Sequence, residues 1–106
     1  MDNPTNRSPV LDLALILDRD AQIPDHIVFR EFALETVVLN LDTGQYHGVN
    51  ATGGRMLELL RQKGSVRQAA EALATEFNQP LENVERDLCI LCIALSKRGL
   101  VELVER

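Results

Sequence analysis

The sequence predicts an α+β fold in which a three-stranded antiparallel sheet is followed by three helices. Three observations carry this. Between His26 and Asn50 the chain alternates apolar and polar residues with many β-branched side chains. After Asn50 the apolar residues change to helical spacing, and Gly64-Ser65 and Gly99 punctuate the helical runs. At 106 residues with 45% apolar side chains, the chain has enough for one core and too little for two.

The first nine residues, with Pro4, Pro9, Asn3, Asn6, Thr5 and Ser8, bury little, which predicts a tail. Val10 to Leu17 is apolar except for Asp12 and reads as a strand or a short apolar arm. Asp18-Arg19-Asp20 reads as a polar break after it. Residues 1–22 are therefore expected to be tail and arm, and residues 23–106 the domain proper.

Ile27 and Phe29, with Phe32 as a further candidate, alternate with Val28, Arg30 and Glu31, which predicts the first strand. Thr36 to Leu41 predicts the second. Asp42-Thr43-Gly44-Gln45 predicts a hairpin turn with Gly44 at positive φ, and Gln45 to Asn50 then folds back as the third strand. Met56, Leu59 and Leu60 share a helical face with Leu57 beside them, and Gly64 stops that helix. Ser65 followed by Gln68 is a capping-box pattern. Val66, Ala69, Ala70, Leu73, Ala74 and Phe77 recur at one-faced helical spacing. The third helix begins near Pro80 and ends at Gly99, with Val84, Leu88, Leu91 and Leu95 as its core stripe and Cys92 at the edge. Leu100 to Val104 is a short apolar end that packs on the core or adds a strand.

The formal charge of −5 argues against nucleic acid and anionic membranes as partners, because such affinity relies on clustered Lys and Arg. The eight-residue apolar run is too short to cross a bilayer, and no basic signal-peptide start precedes it. Cys89 and Cys92, three apart in an apolar run, form no disulfide framework and fit a reducing compartment, so the expected location is cytoplasmic. A redox role for this pair would favour a helix N-terminus, and a zinc site would need two more ligands, with His26 and His47 the candidates outside carboxylates. Buried structural thiols are the expectation, with no metal and no cofactor. Gly53-Gly54 lacks the following Lys-Ser or Lys-Thr of a phosphate loop and is read as allowing close approach of a helix to the sheet.

Four pieces in order carry a family likeness. They are Val38-Leu39-Asn40-Leu41-Asp42-Thr43-Gly44-Gln45-Tyr46-His47-Gly48-Val49-Asn50, then Thr52-Gly53, then Asp87, then Arg98-Gly99-Leu100-Val101. From Ile27 to Leu103 the chain resembles the PqqD-like proteins, which are recognition elements of ribosomally made, post-translationally modified peptide pathways. It looks closer to the stand-alone elements of lasso-peptide and related clusters than to the strict quinone-cofactor protein, having Tyr46-His47-Gly48-Val49-Asn50 in place of a shorter link into the first helix. The resemblance implies a winged-helix-like fold without an active site, in which a leader peptide adds beside the third strand and lies against the third helix. It also implies a separate modifying enzyme, such as a protease, cyclase or radical enzyme.

The residues offer a site of the same kind. Ile90 and Ile93 lie opposite the core stripe of the third helix, so either the sheet or the N-terminal arm covers them or they form a peptide groove. Tyr46 and His47, adjacent on a strand, face opposite sides of the sheet. The peptide-binding candidates are Gln45, Tyr46, His47 and Val49 on the strand, with Arg86, Asp87, Ile90, Ile93, Ala94 and Lys97 on the helix. A precursor peptide bound by β-strand addition is the favoured function. The alternative is a winged-helix DNA-binding transcriptional regulator, which the net charge of −1 over residues 80–106 disfavours. No paired carboxylates or activated nucleophile can be assembled, so no enzymatic activity is expected. The arm from Val10 to Leu17 is expected to cover the core or to pair with another copy of the chain as a homodimer.

Overall fold

The computed structural model describes residues 13–105. A five-residue helix, α1 (Leu13–Leu17), leads into β1 (Arg19–Gln22). Then come β2 (Ile27–Glu31), β3 (Glu35–Asn40) and β4 (Tyr46–Asn50), the helices α2 (Ala51–Lys63), α3 (Val66–Phe77) and α4 (Leu81–Lys97), and β5 (Glu102–Glu105). The sheet β2-β3-β4 is an antiparallel meander, followed by three helices as expected.

Local chemistry sets the joints. Gly44 has φ +77°, the left-handed value that the hairpin turn demands. Asn50 caps α2, its Oδ1 accepting from the Gly53 N–H at 2.8 Å. Ser65 caps α3 by accepting from the Gln68 N–H at 3.2 Å. α4 opens directly after Pro80, whose missing N–H costs nothing in a first turn.

The core lies between the helices and the inner face of the meander. Leu57, Leu60, Leu73 and Leu88 are fully buried there beside Val38 and Thr36 of β3. α2 sits close on this face because it opens with two glycines. A Cβ on Gly54 would lie 2.6 Å from Cβ of Thr36 and overlap its Oγ1, and one on Gly53 would overlap Val49.

Four expectations are corrected. Leu13–Leu17 is a helix, not a strand, and it packs on α3 and α4 with Leu17 buried; Val10 to Asp12 lie outside the described residues. The supposed break at Asp18-Arg19-Asp20 is mostly strand: β1 pairs antiparallel with β5, Ala21 opposite Leu103. Three of its four residues are polar and only Ala21 is buried, so its apolar pattern is too thin to read. Phe32 is not on the inner face of the first strand but at the tip of the β2–β3 hairpin, 58% exposed. On α4 Val84, Leu88 and Leu95 are buried as expected, but Cys89 and Cys92 complete the buried stripe and Leu91 is only half-buried at its margin.

Candidate functional site

Among the described residues the meander has two edges without a strand partner. β2 protects its own with Arg30 and Glu31, charges that discourage strand pairing, and the Glu58–Arg61 ion pair of α2 lies alongside. β4 has no such protection. Its sequence Tyr46-His47-Gly48-Val49-Asn50 carries no Lys, Arg, Asp, Glu or Pro, and its outer edge pairs with no strand among the described residues.

Register fixes where the β4 side chains point. His47 pairs with Val38 and Val49 with Thr36, so both face inward and are half-buried. Tyr46 pairs with Leu39 on the outer face and is 74% exposed, so its ring does not pack down on the sheet. Gln45 is exposed in the turn, its N–H donating to Thr43 Oγ1 at 3.2 Å.

β4 runs straight into α2, and beside the first turn of α2 lies a hollow of about 380 Å³. Met56, Phe77 and Val84 give it apolar walls, and Thr52, Gln79, Asn83 and Asp87 add polar groups. Of the ten residues singled out in the sequence, Asp87 lines this hollow. Arg86 is exposed beside it and donates to Asn83 Oδ1 at 3.0 Å. Ile90, one turn further along α4, is 48% exposed, an unusual exposure for an isoleucine in a helix whose other side is core. Ala94 and Lys97 continue that exposed side, and Ile93 is half-buried.

Sequence reasoning missed Met56, Phe77 and Val84 as hollow-lining residues. Each belongs to an apolar stripe assigned to the core, and Met56 and Val84 are indeed buried there while also facing the hollow. Phe77 gave the available signal, being the last apolar residue before the turn at Asn78, whose φ of +54° ends α3.

The two thiols have no part in this site. Burial pushes Cys89 up to about 11 and Cys92 up to about 12, so both stay protonated and weakly nucleophilic at neutral pH. Cys89 Sγ lies 3.9 Å from the Leu13 carbonyl, where α1 covers it. Among the described residues no group of three or more His, Cys, Asp or Glu is placed to hold a metal ion. Nor is any helix there long and apolar enough to cross a membrane.

The sequence profile described as Coenzyme PQQ synthesis protein D (PqqD) matches residues 35–101, from the start of β3 to just before β5. The chain belongs to the PqqD family. Two solved structures share its fold. TbiB1 in complex with the TbiA(beta) leader peptide is 33% identical, covering 76% of this chain and 94% of its own, with a TM-score of 0.68. A lasso peptide synthetase B1 complexed with the leader peptide is 22% identical, covering 78% of this chain and 98% of its own, with a TM-score of 0.67. Among curated proteins none matches the chain closely enough to count as a relative. The PqqD-family match spans β3, β4 and all three long helices, and so includes both the open edge and the hollow.

Proposed function

We propose that this chain is a non-catalytic accessory protein that binds the leader segment of a precursor peptide as a strand on β4 and presents it to a modifying enzyme. The observation that carries the reading is the unprotected β4 edge, with a hollow of mixed apolar and polar lining, walled by α2, α3 and α4, beside the first turn of the helix that follows it. Main-chain groups on that edge supply hydrogen bonds to any extended peptide, while side chains two apart select among peptides. The relative that is 33% identical was solved with a leader peptide bound, which supports a ligand of the same class here.

On this reading the peptide's inward side chains enter the hollow over Met56, Phe77 and Val84 and cover Ile90. Ile93, half-buried already, has less surface to give. Covering such apolar surface at roughly 25 cal/mol per Å² supplies a few kcal/mol, less the cost of ordering the peptide. Arg86, Asp87 and Lys97 choose register and partner more than they add affinity. His47 and Val49 brace the strand from inside, and Gln45 and Tyr46 flank the incoming peptide. A DNA-binding role finds no support on α4, whose exposed side mixes Arg86 and Lys97 with Glu82 and Asp87 around Ile90.

The test is calorimetry with a synthetic leader of the precursor encoded beside this chain. Ile90→Asp, checked for a native-like fold, should weaken binding about tenfold or more, and Ile93→Asp should weaken it less. If both folded variants bind as tightly as the parent, the peptide lies elsewhere.

A further inference from the structure

The outer face of the meander is apolar, although antiparallel sheets that face water on one side usually carry polar residues there. The strand register places Val28, Leu39 and Tyr46 in one row and Arg30, Val37 and Gly48 in the next. Val28 is 45% exposed and Tyr46 74%. The β2–β3 hairpin ends in Phe32-Ala33-Leu34, with Phe32 58% and Leu34 87% exposed, where hairpin tips favour Gly, Asn or Asp. Val28, Phe29, Phe32, Val37 and Leu39, with Arg30 among them, line a shallow hollow of about 310 Å³.

We infer that this outer face is the docking surface for the enzyme that processes the bound precursor, and that the enzyme meets it with an apolar patch on a surface of net positive charge. The inference rests on the leader-binding reading above. Three observations select this occupant. The first is continuity: the row Val28–Leu39–Tyr46 ends at the open β4 edge, so a peptide strand added there places every second side chain on this same face. A protein seated on the face therefore touches this chain and the leader together. The second is charge. On the face itself Arg30 and Glu35 offset one another, but the chain carries −5 overall, so a second copy brings like net charge whereas a partner of net positive charge is attracted. The third is size: the exposed apolar surface is on the order of several hundred Å², enough for a transient partner and well short of an obligate dimer interface.

The experiment uses the full chain, its precursor and the purified enzyme encoded beside that precursor. Leu34→Glu changes a side chain with almost no contacts to lose, and Val28→Glu changes the row across the sheet. Both variants should bind the leader within about twofold of the parent by calorimetry, while their affinity for the enzyme falls about tenfold or more and processing at limiting enzyme falls with it. Association of the parent with the enzyme should weaken as salt rises. Enzyme binding and processing at parental levels in both variants overturns the inference. So does a parent that sediments as a dimer and variants that sediment as monomers, with processing unchanged, because the face then belongs to a second copy. A parent that fails to bind the leader removes the underlying reading itself, a result distinguishable because leader binding is measured without enzyme.

Discussion

The meander β2-β3-β4 joins strands separated by the short turns 32–34 and 41–45, whereas the β1-β5 pair joins Arg19–Gln22 to Glu102–Glu105 from the two ends of the described chain. The first sheet forms from neighbours and so loses little chain entropy on closure. The second closes a loop that spans the whole meander and all three long helices, which costs more chain entropy. Anchors differ accordingly. The meander is held by a buried seam in which Thr36, Val38 and Val49 meet α2 across Gly53 and Gly54. β1 is held through its backbone, with the Ala21 N–H donating to the Gly64 carbonyl at 2.7 Å, and through Ala21 and Leu17 in the core. A sheet with a dense inner seam and short turns is a firm platform for an incoming strand; the terminal pair closes the opposite part of the core.

Breaking the seam should have the largest effect. Gly54→Leu forces side-chain atoms into Thr36 with no open space to take them, and should destabilise the fold by about 3 kcal/mol or more in urea unfolding, as overpacking of a tight core does. A variant as stable as the parent would mean that α2 sits further from the sheet than described.

Loosening the terminal layer should cost less. Leu17→Ala removes a buried side chain at the rim of the core and should lower stability by about 2 kcal/mol. It should also separate the two regions kinetically. Because α1 covers Cys89 through the Leu13 carbonyl, alkylation of Cys89 should speed up in this variant through local opening, while Cys92, buried deeper among the helices, still waits for global unfolding. Equal acceleration at both thiols would show that the terminal layer does not open by itself.

The smallest effect is expected inside the meander but away from its seam. Gly44 has φ +77° and nothing within 4 Å of a would-be Cβ, so Gly44→Val meets strain without a clash and should cost about 1 kcal/mol. An unchanged melting temperature would place the turn in a different conformation.

Much of this architecture was readable in one dimension because its cause is local. The turn at Gly44, the cap at Ser65, the one-faced stripe from Val66 to Leu73 and the stop at Gly99 each rest on chemistry within a few residues. The candidate edge was placed on the third strand by the family resemblance; its lack of the charges that β2 carries is a feature of the strand pairing described above. The residues around the edge were less readable. Asp87 was found by its place in a motif, while Met56, Phe77 and Val84 look like any other core positions in sequence.

The sequence by itself determined the order of sheet and helices, the turn that joins β3 to β4 and the net acidic charge, since propensity, turn chemistry and charge are properties of short stretches. Only the tertiary structure decided that Arg19–Gln22 is a strand, that Phe32 and Leu34 stand exposed on an apolar outer face, and that residues of three core stripes line one hollow. Those depend on which partner reaches a given side chain or backbone group, and the partners of β1, Phe77 and Val84 lie on elements distant in sequence.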